Sequence, residues 1–159
     1  MEITWREMTR ADFDTVYAMM RAFYTSPAVL SDGSDAIYRA DIEACLTPGT
    51  PLTGYVFTAG ERALGYAMTA ESFSTEFGRP CLWLEDLYLV PEARGQGAGS
   101  RFLQQLAANR PDAVLRLEAE RENTSAVRVY TAAGFEELPY LELIRHPDEC
   151  ACNLPRFSV

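Results

Sequence analysis

Lysine is absent from this chain, and all fourteen basic residues are arginine. That excludes Schiff-base chemistry at a lysine, pyridoxal phosphate attachment and the phosphate-gripping lysine of a P-loop. Histidine occurs once, at His146, far from any nucleophile motif. A Ser-His-Asp or Cys-His hydrolase would have to be built on it, which argues against that class. Cysteine is sparse too: Cys45, Cys81, Cys150 and Cys152 form no CxxC pair and no disulfide framework of a secreted domain. His146-x-x-x-Cys150-x-Cys152 has metal-capable residue types without the spacing of a structural zinc site, so no metal is expected. No apolar run approaches the length of a membrane span. The first ten residues carry Glu2, Arg6 and Glu7 and do not read as a signal peptide. The expected setting is a reducing cytoplasm, with no membrane partner.

What is present fits one domain of 159 residues, 48% hydrophobic and 11% aromatic, enough for a continuous core. The net charge is −9 and the isoelectric point near 4.6. Such a field repels phosphate backbones, so no nucleic-acid partner is expected. It favours the approach of small cations, amines among them, and it also serves solubility.

Hydrophobic periodicity divides the chain cleanly. Glu2–Met8 alternates as a first strand. Thr9 and Asp12 stand at capping spacing before Phe13, Val16, Tyr17 and Met20, which recur at helical intervals. A second helix is expected over Asp35–Leu46, closed by Thr47-Pro48-Gly49. Gly54–Ala59 and Ala63–Ser72 flank a hairpin turn at Gly60-Glu61-Arg62, and a second turn falls at Thr75–Pro80. Cys81–Val90 is nearly all apolar save Glu85 and Asp86, the pattern of a central strand covered on both faces. Then come a helix over Gly97–Asn109, a strand over Ala113–Glu120, a short helix over Ser125–Ala133 stopped by Gly134, and a final strand at Tyr140–Ile144. The order β-α-α-β-β-β-α-β-α-β implies an α+β domain: a mixed, twisted central sheet flanked by helices, with one parallel crossover.

The chemistry lies after the central strand. Val90-Pro91-Glu92-Ala93-Arg94-Gly95-Gln96-Gly97-Ala98-Gly99-Ser100 is a tight turn with three alternate glycines leading into an amphipathic helix. Glycines let the backbone turn sharply and approach a ligand, and the first N–H groups of a helix are unpartnered and partly positive. Together they make a cradle for a pyrophosphate. Ser100 occupies the place of the third dinucleotide glycine, no Rossmann acid follows, and GK[ST] is missing.

The run Val90-Pro91-x-x-Arg94-Gly95-x-Gly97-x-Gly99 resembles the acetyl-CoA signature of the GCN5-related N-acetyltransferase (GNAT) superfamily. A second landmark follows at the expected distance: Asn123-x-x-Ala126-x-x-x-Tyr130-x-x-x-Gly134-Phe135 looks like the family's N-x-x-A/S-x-x-x-Y-x-x-x-G-F element. Leu84-Glu85-Asp86 and Gly65-Tyr66-Ala67 are similar, more faintly, to the diamine (spermidine/spermine) type. The resemblance implies a GNAT-like fold and acetyl-CoA as cosubstrate. It assigns the backbone of Arg94, Gly95, Gln96, Gly97, Ala98, Gly99 and Ser100 to the pyrophosphate. Leu87, Tyr88 and Leu89 would pair with the pantetheine arm like an extra strand, which requires the central strand to splay from Ala113–Glu120. Asn123 would contact the pantetheine or hold that wedge open, and Tyr130 would sit near the thioester sulfur.

Direct attack of an amine on a thioester needs a proton acceptor for the amine, a donor for the oxyanion and an acid for the thiolate. Glu85 is the candidate base, or an anchor for the substrate ammonium; strand alternation places Asp86 on the opposite face. The Leu89 N–H is the candidate oxyanion donor. Tyr130 sits on the apolar stripe of its helix, a core position, and is assigned as the acid on the register of Asn123 and Gly134. Asp32, Asp35, Asp41, Glu71 and Glu76 either line an amine pocket or form a solvated face. The leading reading is an N-acetyltransferase acting on a small cationic amine. Acetylation of a protein or peptide amine and a non-catalytic acyl-CoA sensor stand beside it. Family members often pair through C-terminal strands, which makes Pro139–Arg145 the candidate homodimer segment.

Overall fold

The computed structural model describes residues 2–29 and 33–145. Asp32, His146, Cys150, Cys152 and the tail to Val159 lie outside the described residues. Five strands form one sheet in the order β1-β2-β3-β4-β5: β1 Thr4–Glu7, β2 Leu52–Ala59, β3 Arg62–Ser74, β4 Arg79–Leu89 and β5 Val114–Leu117. The first four are antiparallel neighbours, whereas β5 runs parallel to β4. Parallel neighbours need a crossover, here supplied by α3, Ala98–Asn109. The remaining helices are α1 Phe13–Tyr24, α2 Asp35–Leu46 and α4 Thr124–Ala132.

Each face of the sheet carries its own core. Val56, Tyr66, Met68 and Tyr88 meet Val16, Met19 and Met20 of α1 and Tyr38 and Ile42 of α2. On the other face Phe57, Leu64, Ala67, Leu82 and Leu84 meet Ala98, Phe102, Leu103 and Leu106 of α3. The change from residue 56 to 57 is the period-two alternation of a strand buried on both sides. The expected central position of the Cys81–Val90 strand follows, since β4 has β3 on one side and β5 on the other.

Two features depart from the periodic reading. Tyr140–Ile144 pairs with no strand among the described residues, and its apolar side chains are exposed, Leu141 at 82% and Leu143 at 84%. A strand exists only where another presents backbone groups to it, and alternation cannot show whether one does. The second departure is in β4. Met68 faces Asp86 and Thr69 faces Leu84, so Glu85 is the extra residue of a β-bulge.

Gly65 packs where β3 and β4 approach closely. A Cβ at this position would lie 2.3 Å from the Tyr88 carbonyl oxygen. That oxygen and the Leu89 Cα at 3.1 Å are backbone and cannot swing away, although the Leu89 Cδ2 at 2.7 Å could. Gly65→Ala is expected to destabilise the fold by about 1–3 kcal/mol, read as a lowered urea midpoint with an unchanged slope.

Candidate acyl-CoA and acceptor site

The cradle begins where β4 outruns its partner. Pairing with β5 covers only Cys81–Leu84 against Val114–Leu117, while β4 continues to Leu89. Val90 donates its N–H to the Leu64 carbonyl at 2.9 Å. Backbone groups alternate in direction along an antiparallel strand, so Leu87 and Leu89 turn theirs away from β3, towards the open edge. Beyond Leu84 no described strand occupies that edge. The splay that pantetheine pairing requires is therefore built into the sheet.

The turn after β4 is fixed by its own side chains. Arg94 Nε donates to the Leu89 carbonyl at 2.8 Å, Gln96 Nε2 to the Glu92 carbonyl at 2.7 Å, and Arg101 Nη1 to the Gln96 carbonyl at 3.0 Å. Arg101 also reaches the Ile3 carbonyl at 3.1 Å, tying the turn to the strand edge. Sequence reading missed Arg101, which lies one residue beyond the motif. Gly95 and Gly97 adopt φ of +71° and +73°, a region costly for side chains, and Gly97 caps α3 in the left-handed conformation. Gly99 is helical, and its added Cβ would only touch Leu87 at 3.6 Å. The first intrahelical acceptor is used by Arg101 N–H, on the Gly97 carbonyl. No side chain caps this helix and its first turn has no acid. Ala98, Gly99 and Ser100 thus present free N–H groups at the positive end of the helix dipole, a fit for a pyrophosphate.

Across the wedge, Asn123 caps α4 by accepting from Ala126 N–H at 3.3 Å. The helix ends with Gly134 N–H on the Thr131 carbonyl and Phe135 N–H on the Tyr130 carbonyl, the paired bonds of a Schellman motif. Phe135 packs its ring 6.1 Å from that of Tyr130. The N-x-x-A-x-x-x-Y-x-x-x-G-F spacing is thus a capped helix that fixes Tyr130 at both ends. Burial, then the charge of Asp86, raises the Tyr130 hydroxyl above its ordinary value.

The candidate acceptor side is a group of carboxyls lined by tyrosines. The bulge overturns the expected separation of Glu85 and Asp86. Leu84 packs in the α3 core, yet Asp86, two residues on, reaches the α1 side. Asp86 is 5% exposed and accepts from Tyr24 Oη at 3.0 Å and Tyr66 Oη at 2.9 Å. Burial pushes its carboxyl up to about 6 against the two hydroxyls, which lower it, and Asp41 and Glu85 add to the rise. Asp41 on α2 is likewise pushed up to about 6, first by burial and then by Glu85. Glu85 is exposed at the bulge and raised, by lost hydration and then by Glu142. Glu118, just past β5, is pushed up to about 7 by burial and by its bond and charge contact with Glu142, with Glu85 adding and Arg116 opposing.

Of the other acids expected near an amine, Asp41 joins this group. Asp35 pairs with Arg21 at 3.8 Å, Glu71 pairs with Arg110, and Glu76 accepts from Tyr140 at 2.6 Å. Sequence reading missed Tyr24, Glu118 and Glu142, which no motif marks, and gave Tyr66 no role beyond its place in Gly65-Tyr66-Ala67. Among the described residues no His, Cys, Asp and Glu group could hold a metal ion, and no helix is long and apolar enough to cross a membrane.

A buried carboxyl held above its ordinary range carries a stability signature. Between the unfolded and folded values, near pH 4 to 6, native Asp86 keeps a proton that the unfolded chain gives up. Stability is therefore lost as pH rises through this window, on the order of 3 kcal/mol for such a shift. Asp86→Asn, whose amide can still bond both tyrosines, is expected to melt higher than wild type near pH 8 and not near pH 4. Equal differences at both pH values in a melting series would overturn the assignment.

Comparison with known proteins follows the same lines. The Acetyltransferase (GNAT) family model matches residues 13–135. Thialysine N-epsilon-acetyltransferase of Bos taurus is 35% identical over 103 residues, 63% of this chain and 56% of that protein. The chain spans about half the length of the curated relatives it matches. Among solved structures, a possible acetyltransferase from Clostridium difficile 630 superposes with a TM-score of 0.76 at 19% identity, covering 91% of this chain and 97% of that one. The aminoglycoside acetyltransferase AAC(6')-Iy, bound to a CoA-containing bisubstrate analogue, gives 0.73 at 20% identity over 92% and 99%. At these identities the superpositions speak for the fold. The match over 123 residues, the motifs and the geometry together place this chain in the GNAT acetyltransferase family.

Proposed function

We propose that this protein is an acetyl-CoA-dependent N-acetyltransferase whose acceptor is the primary amine of a small cationic molecule, attacked directly in a ternary complex. One juxtaposition carries the reading: the open edge of β4 at Leu87–Leu89 lies between the free amides of α3 and the carboxyl group around Asp86. Bound acetyl-CoA supplies the activated acetyl group. The amides of Gly95 to Ser100 hold the pyrophosphate, with Arg94 bracing the turn. Leu87 and Leu89 offer backbone groups to the pantetheine arm, alongside Tyr88. The Leu89 N–H faces the charge that develops on the acetyl oxygen. Glu85, directly or through a water, takes the amine proton, and its raised affinity for protons suits that task. Tyr130, made a poor acid to leave ionised by burial, keeps its proton until the departing thiolate needs it.

The relatives favour an amine acceptor: those of 33–35% identity bear the name thialysine N-epsilon-acetyltransferase, and one fold neighbour is an aminoglycoside acetyltransferase. A peptide amine would need a groove for flanking residues. An acyl-CoA sensor would have no use for a proton donor at the sulfur. We place the protein in the cytoplasm and read it as a homodimer joined through 139–145, where Tyr140, Leu141, Leu143 and Ile144 are exposed.

Free-thiol release from acetyl-CoA, run against polyamines, aminoglycosides, thialysine-like amino acids and basic peptides, tests this. Release with a small amine is expected. Tyr130→Phe should retain acetyl-CoA affinity and lose about 10²-fold or more in turnover, whereas unchanged turnover removes Tyr130 from the chemistry. Gly97→Leu should abolish acetyl-CoA binding, because left-handed backbone and ligand approach both exclude a side chain there. Retained affinity would undo the cradle. For the assembly, Leu141→Glu with Leu143→Glu should halve the mass in sedimentation equilibrium; a wild-type monomer would exclude the dimer.

A further inference from the structure

Tyr24 is the last residue of α1, and its hydroxyl crosses to β4 to reach Asp86 Oδ1. Tyr66 on β3 takes Oδ2 of the same group. Two hydroxyls from two elements therefore hold both oxygens of one carboxylate on a third. The ring of Phe23 packs 5.8 Å from that of Tyr88, and the ring of Tyr24 lies 5.3 Å from that of Tyr38, so the α1 end is seated on the wall that Asp86 shares.

This arrangement exceeds what packing requires. Two tyrosine hydroxyls would be equally well satisfied by an uncharged acceptor, at no ionisation cost. Instead the chain places a carboxyl there beside Asp41 and Glu85. None of the ion pairs among the described residues includes Asp41, Glu85 or Asp86. Hydroxyl donors favour the charged form of a carboxylate without neutralising it. The carboxylate is thus left without a cation of the protein's own.

We propose that Tyr24 is a positioning residue for the acceptor: it holds the end of α1 and the Asp86 carboxylate in the place and charge state that an ammonium group requires. The inference rests on the amine-acetylating reading given above. Tyr66 performs the same service from the sheet side, where it is fully buried and doubles as core. Tyr24 is therefore the partner that can be altered without opening the core. The groups that face Asp86 are Tyr24 of α1, Asp41 and Cys45 of α2, Tyr66 of β3, Glu85 of β4 and Tyr130 of α4. The cysteine thiol is pushed up to about 12 and stays neutral, and both tyrosine donors lie above the working range. The neighbouring carboxyls are Asp41, pushed up to about 6, and Glu85, raised by lost hydration.

The test is the pH dependence of kcat/KM for the amine in wild type and Tyr24→Phe, with acetyl-CoA affinity measured in parallel. Losing one donor raises the proton affinity of Asp86, so the acidic limb should move up by about one pH unit. Near pH 6 the variant should be about fivefold poorer in kcat/KM, mostly through the KM for the amine, and should recover near pH 9, where Asp86 is ionised in both proteins. Acetyl-CoA affinity should be unchanged. A purely structural tyrosine would lower activity by one factor at every pH and leave the limb in place; that result, with wild type active, overturns this inference alone. Absence of thiol release by wild type with every amine overturns the amine reading as well. Asp86→Asn supplies the second variant: loss of the limb supports the proposal, and a limb unmoved by it assigns the titration elsewhere and overturns the role of Asp86.

Discussion

A parallel strand pair of unequal length governs the functional end of this protein. β5 offers four residues to an eleven-residue β4, so backbone pairing stops at Leu84 and Leu117 while β4 goes on. Leu87 and Leu89 then carry strand geometry with a free edge. In most sheets such an edge is a liability, since it invites another chain to pair. Here it runs on past the end of β5 towards the turn that starts α3, where an extended ligand arm could pair with it. The Gly95 and Gly97 turn follows directly and brings the α3 amides to the same place. One mismatch in strand length thus organises the whole site proposed for the cosubstrate.

The second constraint is electrostatic. Burying a carboxyl is costly unless its charge is used, and this chain buries Asp86 against tyrosines rather than arginine. Elsewhere its arginines pair freely: Arg6 holds Asp12 at 2.8 Å and keeps that carboxyl down near 2. The contrast between the two aspartates is informative. Both are buried, at 8% and 5% exposed, but Asp12 is ion-paired and structural while Asp86 has only hydroxyl donors, the pattern of a candidate site.

The bulge at Glu85 connects these two constraints. By adding one residue it turns Asp86 to the α1 side while Leu84 stays in the α3 core. Downstream it leaves Leu87 and Leu89 with side chains in the α3 core and backbone groups at the open edge. Chemistry and packing are served by alternate atoms of one strand.

The sequence by itself determined what local rules control. Helices with one apolar stripe, Gly134 as a left-handed stop, and the Arg94–Ser100 turn all follow from side-chain period and backbone freedom within a dozen residues. The helix expected over about Asp35–Leu46, closed by Thr47-Pro48-Gly49, is found with those bounds. The family motifs marked the candidate acetyl-CoA cradle and Tyr130 for the same reason, since both are contiguous devices. Only the tertiary structure decided the rest. A bulge leaves no glycine or proline to announce it, so Asp86 seemed to face away from Glu85. Tyr24 and Asp86 are sixty-two positions apart, and their bond exists only because α1 crosses β4. Tyr140–Ile144 alternates like a strand, yet strand pairing belongs to two segments at once, and no described neighbour meets it. Period and propensity are properties of one segment; contact, charge state and edge pairing are properties of the fold.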